Sequence, residues 1–285
     1  MSSDNGRPLV GVALGGGVAR GLAHIGVLSV LEEAGVPIDF IAGTSMGAII
    51  GSAYAAGLTI ADLRDLASRT GWGNVTKLRV TRDGLICFMK MENWVEEVVG
   101  QFDIQDLAIP FAAVASDLVS GERVVLWRGD LGRALRASSS VPGFAPPVEW
   151  DGRMLVDGGV TDNVPSDVAR MLGADYVIGV DVFVPALRPQ LGPLSRGLAS
   201  IETLIRHAGQ GPDESDRLIV PHLEGMSYFK FSQYRDLIAL GEDAAREQLP
   251  TILEDLGHWQ PTSAGDRETP VEVLLKHPAP ELSAN

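Results

Sequence analysis

The sequence predicts an α/β fold in which a mainly parallel central sheet is sandwiched between helices. The apolar run at residues 9–14 ends in a glycine turn and continues as a helical pattern at residues 21–34. The same succession recurs when the run at 38–42 passes through a second glycine turn into a helix of small residues at 48–56. Later apolar runs alternate with helical patterns, and this alternation is typical of parallel sheets covered by helices.

The later strand candidates are short, apolar or β-branched, and lie at residues 111–115, 123–127, 153–156, 176–182 and 217–220. A helix is predicted at 165–172, and residues 191–205 have the apolar spacing of an amphipathic helix whose apolar face packs on the core. In sheets of this kind ligands bind outside the carboxyl ends of the strands. Both glycine turns therefore lie where a site is expected.

The 285 residues are near the upper end of what one hydrophobic core supports, so a single catalytic domain is expected at residues 1–257. Within it, residues 71–100 interrupt the alternation, and a variable cap over the site is predicted there. The apolar run from Leu85 to Trp94 has two interpretations, a lipid-contacting cap surface or an ordinary buried hairpin or helix. Residues 258–285 are rich in proline, charge and small side chains, which predicts a loosely held tail.

The charge balance excludes some partners. A net charge of −14, from 37 acidic and 23 basic residues, would repel a nucleic-acid backbone. It would also repel an anionic bilayer, so any membrane contact is expected to be peripheral and made by a local apolar patch. With one cysteine, no cationic and apolar leader, and no apolar run of about 18 residues, we expect a cytoplasmic protein, with any lipid contact at the inner membrane face.

The second glycine turn matches the nucleophile elbow, in which a sharp strand-to-helix turn exposes a serine hydroxyl. The pattern is Gly43-x-Ser45-x-Gly47, and it follows an apolar strand and opens a helix. Such a pattern also arises by chance in a glycine-rich chain, so this context is what supports it. The helix start, with Met46 as its first residue, offers free N–H groups and a positive dipole to an oxyanion.

The first glycine turn fails the tests for a phosphate-binding loop. Its residues are Gly15, Gly16, Gly17, Arg20 and Gly21. Arg20 stands where the dinucleotide pattern needs glycine, and no Lys-Ser or Lys-Thr follows as a P-loop would need. Consecutive glycine N–H groups can instead converge on an acyl oxygen, so an oxyanion loop and a plain structural turn both remain open.

An acid motif follows the strand at 153–156, where Asp157 precedes Gly158 and Gly159. An Asp-Gly pair is commonly just a turn, but here the acid lies at a strand's carboxyl end. A serine nucleophile needs a base, which is usually histidine. None of the five histidines (His24, His207, His222, His258 and His277) stands in a catalytic motif, and we expect each to be structural or exposed.

These motifs together resemble a known family. The first glycine turn, the elbow and the acid motif, in that order, are similar to the three signatures of bacterial patatin-like phospholipases. The resemblance extends through residues 115–117, 120–122, 137–144 and 147, and on to 163–165. It is strong over residues 8–182, looser over 234–249, and weakest near the cap, where members of the family differ.

The resemblance implies a patatin-like fold related to that of acyl transferases and lysophospholipases, and a Ser-Asp dyad in place of a triad. In this interpretation Asp157 takes the proton of Ser45, Ser45 attacks an ester carbonyl, and the N–H groups of Gly16, Gly17 and Met46 hold the oxyanion. Arg20 would position the glycine loop or attract a lipid phosphate, of which the resemblance favours the first. No metal or other cofactor is implied.

The expected activity is hydrolysis of phospholipid or lysophospholipid esters, and the head group, acyl position and oligomeric state stay open. Two alternatives remain. The first is acyl transfer to a thiol acceptor, although Thr44 stands where such enzymes carry histidine. The second is a non-catalytic lipid or acyl-chain sensor on the same fold.

Overall fold

The computed structural model of the chain describes residues 6–71, 77–78, 86–87, 89–183, 203–206, 208–209 and 211–259. Its strands are β1 (Val10–Leu14), β2 (Phe40–Thr44), β3 (Lys77–Leu78), β4 (Ile86–Cys87), β5 (Phe111–Asp117), β6 (Arg123–Leu126), β7 (Val148–Trp150), β8 (Arg153–Asp157), β9 (Tyr176–Val180) and β10 (Arg217–Ile219). Its helices are α1 (Ala23–Glu33), α2 (Met46–Ala55), α3 (Ile60–Arg69), α4 (Met89–Val98), α5 (Leu131–Ser138), α6 (Ser166–Met171), α7 (Gly211–Glu214) and α8 (Tyr234–His258).

Within the described residues one large sheet organises the fold, and its spatial order is β10-β9-β1-β2-β5-β8-β7, with β6 pairing with β5. The five strands from β10 to β5 run parallel, whereas β6, β7 and β8 are antiparallel to their neighbours. Every residue of β1, β2, β5 and β9 is buried, which is why these strands read as continuous apolar runs rather than alternating patterns. The predicted α/β class with a mainly parallel sheet is confirmed.

The two long helices α1 and α8 pack closely against each other. A Cβ at Gly26 of α1 would overlap the Ile238 carbonyl oxygen, and a Cβ at Gly241 of α8 would overlap the Ala23 carbonyl oxygen. Glycine at both crossing points lets the two backbones approach more closely than side chains would allow. Both helices also contact residues 18–22, which follow the first glycine turn.

Strands β2 and β8 share one edge of β5. Ala113 of β5 pairs with Gly43 of β2 and also with Leu126 of β6, so β2 and β6 lie on opposite edges. Ser116 pairs with a residue of β6 and also with Val156 of β8, so β8 lies opposite β6. Strand β8 therefore pairs with the same edge of β5 as β2, beyond the point where β2 ends.

The carboxyl ends of β2 and β8 meet on that edge. The last residue of β2, Thr44, is opposite Val114, and the last residue of β8, Asp157, is opposite the next residue, Ala115. The two strands approach this point from opposite directions. The residue that follows β2 and the residue that ends β8 are thus brought together by the pairing of the sheet.

Three details differ from the sequence-based expectations. Periodicity did not reveal that 123–126 and 153–157 run antiparallel, because strand direction depends on partners far away in the chain. Strand β7 was not predicted, since three residues are too few for a periodic signal. The second strand begins at Phe40 rather than at 38, because its pairing with β1 starts only at Phe40.

Only the C-terminal part of the predicted cap has side chains within the described residues. Met91 and Trp94 of α4 are buried in the core, so these two residues follow the ordinary buried interpretation. The side chains of 85–88, most of the amphipathic pattern at 191–205, and residues 260–285 lie outside the described residues. No helix in the described part of the chain is long and apolar enough to cross a membrane.

Candidate active site

Ser45 occupies the turn between β2 and α2 in a strained backbone conformation. Its φ of 54° and ψ of −119° lie in a region that non-glycine residues rarely adopt. Such a conformation costs about 1–3 kcal/mol and persists only when the surroundings impose it. Ser45 is also the N-cap residue of α2, yet its hydroxyl makes no capping hydrogen bond. The side chain is therefore left for chemistry at the positive end of the helix.

Close backbone approach explains the glycines on either side of Ser45. A Cβ at Gly43 would lie 2.6 Å from the Cα of Ala48, inside the first turn of α2. A Cβ at Gly47 would overlap the Leu14 carbonyl oxygen at the end of β1. Side chains at either position would push α2 away from the sheet edge. The elbow that was predicted from the motif thus has a steric basis in this chain.

The backbone N–H of Ser45 is held by a residue that the sequence motifs did not assign to the site. It donates a hydrogen bond of 2.9 Å to Oγ of Ser138, the last residue of α5, which is fully buried. This N–H belongs to the strained residue, so the hydrogen bond helps to hold the turn. In the sequence Ser138 stands only within a stretch of family resemblance, and a contact across 93 positions leaves no local signal.

Asp157 ends β8 and is 5% exposed. Its N–H donates to the Ser140 carbonyl oxygen at 2.9 Å, and its Oδ1 accepts the Gly159 N–H at 2.8 Å. A Cβ at Gly158 would overlap the Val114 carbonyl oxygen, so glycine is required directly after the acid. The segment 138–140 therefore contacts both predicted catalytic residues, through Ser138 on one side and Ser140 on the other.

Burial raises the pKa of Asp157 to about 6, and the hydrogen bonds from the Gly159 N–H and the Ser45 side chain oppose this rise. The raised value places the carboxylate close to the operating range of a general base at neutral pH. It remains largely ionised at pH 7, so it can accept a proton. The Ser45 side chain therefore lies close enough to the Asp157 carboxylate to lower its pKa, and these are the two residues that the sequence singled out separately.

The glycine loop lies beside the elbow, and its N–H groups have different partners. The Gly15 N–H donates to the Val180 carbonyl oxygen at 3.0 Å, and the Gly16 N–H donates to the Asn163 carbonyl oxygen at 3.2 Å. Within the described residues the Gly17 N–H has no hydrogen-bond partner. The Gly16 N–H thus serves the loop's own structure in this conformation, which differs from the expected oxyanion role. The oxyanion role of the Gly17 and Met46 N–H groups stays a prediction.

Arg20 is completely buried beneath the loop rather than facing a solvent-filled site. Its Nε and Nη2 donate to the Met226 carbonyl oxygen at 3.2 and 2.8 Å, and its guanidinium lies 3.9 Å from the ring centroid of Tyr228. Beside it, a Cβ at Gly21 would lie 2.6 Å from Cβ of Met46. These contacts favour the structural role of Arg20 over attraction of a lipid phosphate.

The described histidines do not form a triad with Ser45. His24 is buried, and its Nε2 lies 2.7 Å from the Gly15 carbonyl oxygen. Burial lowers the pKa of His24 to about 4, so the ring is neutral at pH 7 and Nε2–H donates to Gly15. His222 and His258 are exposed, and none of these three hydrogen-bonds to Ser45 or Asp157. His24 is a support for the glycine loop, while His207 and His277 lie outside the described residues.

The loop after the acid motif connects all three predicted motifs. Oγ1 of Thr44, next to the nucleophile, donates to the Asp162 carbonyl oxygen at 3.0 Å, while Asn163 accepts from Gly16. The Asp162 carboxylate is bound at 2.6 Å by Arg123, which fixes the loop to β6. Buried carbonyl groups of 162 and 163 therefore set the spacing between elbow, glycine loop and acid.

A serine on a strained strand-to-helix elbow of an α/β sheet, with a buried acid nearby, is the arrangement expected of a serine acyl-hydrolase. The patatin family model, described as patatin-like phospholipase, matches residues 12–170, more than half of the chain. This chain belongs to the patatin-like phospholipase family.

Curated relatives agree with this assignment. An uncharacterised NTE family protein of Mycobacterium tuberculosis is 40% identical over 178 residues, which cover 61% of this chain and 49% of that protein. Patatin-like phospholipase domain-containing protein 6 of Homo sapiens is 36% identical over 181 residues, which cover 61% of this chain and 13% of that protein. The matched region thus spans about half of the first relative and much less of the second.

Among solved structures, VipD from Legionella pneumophila aligns with a TM-score of 0.52 at 12% identity. The alignment covers 86% of this chain and 67% of that chain. At this level of identity the likeness concerns the fold alone, and it extends beyond the region that the family model matches.

Proposed function

We propose that this protein is a serine lipid acyl-hydrolase that cleaves carboxylic esters of phospholipids or lysophospholipids. Ser45 is the nucleophile and Asp157 is the general base of a two-residue dyad. The observation that carries the proposal is the meeting of β2 and β8, which brings a strained serine against a buried, hydrogen-bonded carboxylate. The lipid class of the substrate is taken from the family name and the names of the relatives.

The first half of the reaction acylates the serine. Asp157 accepts the hydroxyl proton of Ser45 as Oγ attacks the ester carbonyl carbon, which creates a tetrahedral oxyanion. The N–H groups of Gly17 and Met46 stabilise that oxyanion, together with the positive end of α2. The ester bond then breaks, and Asp157 returns its proton to the departing alcohol.

The second half releases the fatty acid. Asp157 accepts a proton from a water molecule as the water oxygen attacks the acyl-enzyme carbonyl carbon. The second oxyanion collapses, the bond from Ser45 Oγ to carbon breaks, and Ser45 recovers its proton from Asp157. The same carboxylate thus acts as base and then as acid in each half of the reaction.

Graded p-nitrophenyl esters and a lysophospholipid test the proposal with three proteins, the wild type, Ser45→Ala and Asp157→Ala. Turnover by the wild type that both substitutions reduce by about 10³-fold or more would support the dyad, and the chain-length optimum would measure the acyl pocket. Ser139→Ala is a matched control, because Ser139 is buried nearby and its Oγ has no hydrogen-bond partner among the described residues. Full activity of Ser45→Ala would contradict the proposal.

A further inference from the structure

Asn163 places an unpaired polar atom inside the candidate site. The residue is 4% exposed, and its Oδ1 has no hydrogen-bond partner within the described part of the chain. A buried acceptor without a partner costs about 1–3 kcal/mol, so a fold keeps one only where something offsets that cost. In enzymes such an acceptor commonly takes part in the reaction or binds a water molecule.

Two glycines locate this oxygen relative to the dyad. The point that a Cβ at Gly16 would occupy is 2.9 Å from Asn163 Oδ1 and 3.4 Å from the Cβ of Ser45. The corresponding point at Gly159 is 3.3 Å from Asn163 Oδ1 and 3.1 Å from Asp157 Oδ1. Because both residues are glycines, no side chain of theirs separates the Asn163 oxygen from Ser45 or from Asp157.

The backbone around Asn163 keeps the side chain in this position. Its carbonyl oxygen accepts the Gly16 N–H at 3.2 Å, and the preceding carbonyl of Asp162 accepts the Thr44 hydroxyl at 3.0 Å. The residue is thus fixed to the glycine loop and, through Asp162, to the nucleophile elbow. The position of the Asn163 side chain is therefore tied to that of the elbow and the glycine loop.

We propose that Asn163 is a catalytic residue of the deacylation step, in which its Oδ1 holds the attacking water. This inference rests on the proposed function. Two acceptor oxygens suit a water molecule, which has two hydrogens to donate. One hydrogen goes to Asp157 and is transferred as the water oxygen bonds to the acyl carbon. The other is held by Asn163 and remains on that oxygen, so it becomes the hydroxyl hydrogen of the released carboxylic acid.

Attack by methanol in place of water distinguishes a role of Asn163 in holding the attacking water from a purely structural role. Methanol has a single hydroxyl hydrogen, which Asp157 must take, so its attack on the acyl-enzyme makes no use of Asn163. Removing the Asn163 oxygen should therefore slow attack by water and leave attack by methanol nearly unchanged. The ratio of methyl ester to free acid, formed at a fixed methanol concentration, measures the difference.

The experiment compares the wild type with Asn163→Leu, which removes the amide at similar volume, on a p-nitrophenyl ester in buffered methanol. For Asn163→Leu we expect the burst of p-nitrophenolate to proceed within threefold of the wild-type rate, because acylation does not use Asn163. The steady-state rate should be slower than that of the wild type. The ratio of methyl ester to free acid should rise by about tenfold or more, as expected for the loss of one hydrogen bond. The acyl-enzyme should accumulate, which intact-mass spectrometry detects. Asn163→Ala is the second variant, because it removes the same oxygen without adding apolar volume and should raise the same ratio.

The possible results separate the two proposals. A wild-type burst that Ser45→Ala abolishes supports the proposed function, and an unchanged product ratio in folded Asn163→Leu and Asn163→Ala would then overturn the role of Asn163 alone. An equal loss of burst and steady-state rates in Asn163→Leu would also overturn it, because that result assigns Asn163 to positioning the dyad. Absence of any Ser45-dependent release of p-nitrophenolate by the wild type would overturn both.

Discussion

Ser138 accepts the backbone N–H of Ser45 at 2.9 Å and thereby fixes the turn that presents the nucleophile. Ser138 lies at the end of α5, and two residues later the Ser140 carbonyl oxygen accepts the N–H of Asp157. One short segment is therefore bonded to both members of the proposed dyad. Its integrity should matter for activity although it contributes no reacting group.

Ser138→Ala should destabilise the protein by about 1–3 kcal/mol, because the buried Ser45 N–H loses its acceptor. It should also slow acylation, since the strained φ of Ser45 is less well held. Urea denaturation and the burst rate measure the two effects. The control is Ser139→Ala, whose removed hydroxyl has no hydrogen-bond partner in the part of the chain that the structure describes, and it should be neutral or slightly stabilising. Equal effects of the two substitutions would refute the assigned role of Ser138.

The pH dependence of kcat/KM should report the raised pKa of Asp157. Below a pKa of about 6 the carboxyl group is protonated and cannot accept the Ser45 proton, so the rate should fall tenfold per pH unit on the acid side. Asp162→Asn is the control, because it changes another buried carboxylate on the following loop and should leave the acid limb near pH 6. A wild-type rate that stays constant down to pH 4.5 would exclude Asp157 as the base.

The raised pKa of Asp157 also predicts that the free energy of unfolding falls as pH rises, whereas activity rises. The folded state binds the Asp157 proton more tightly than the unfolded chain, so this group stabilises the fold at low pH and the contribution is lost as pH rises through about 6. Asp157→Asn should therefore unfold at a higher urea concentration than the wild type at pH 8, by roughly 1–3 kcal/mol of unfolding free energy. At pH 4 the difference should shrink, and a difference that grows would show the opposite shift.

Gly47→Ala should prevent α2 from reaching the sheet, because the new Cβ would overlap the Leu14 carbonyl oxygen. We expect a loss of several kcal/mol, at the upper end of single substitutions. Gly257→Ala is the matched control, since it lies in α8 with open space around it and should be stabilising by about 0.5–1 kcal/mol. Thermal unfolding of the two variants gives the comparison, and a Gly47→Ala protein as stable as the wild type would contradict the packing.

Arg20→Lys distinguishes support of the glycine loop from recognition of a lipid phosphate. Lysine keeps the charge but loses the planar fork that binds the Met226 carbonyl and stacks on Tyr228. We expect lower stability and similar losses of activity on a lysophospholipid and on a neutral ester. A loss confined to the phospholipid, in a protein of unchanged stability, would indicate a direct contact with the head group.

The sequence reveals the parts of the site that are local in the chain. The elbow around Ser45, the glycine loop and the acid motif each lie within a few residues, and turn chemistry makes them visible. Ser138 and Asn163 could not be assigned in this way, because their roles arise from contacts with distant segments. The antiparallel direction of β8 was missed for the same reason, although it is the feature that turns Asp157 toward Ser45.

Labelling by a fluorophosphonate probe, with the adduct mapped by peptide mass spectrometry, tests the central claim most directly, because it needs no knowledge of the natural substrate. We predict that the wild type is labelled at Ser45, that Ser45→Ala is not labelled, and that folded Asp157→Asn reacts about 10²-fold or more slowly. Labelling at a different serine, or a wild-type rate in Asp157→Asn, would contradict the dyad.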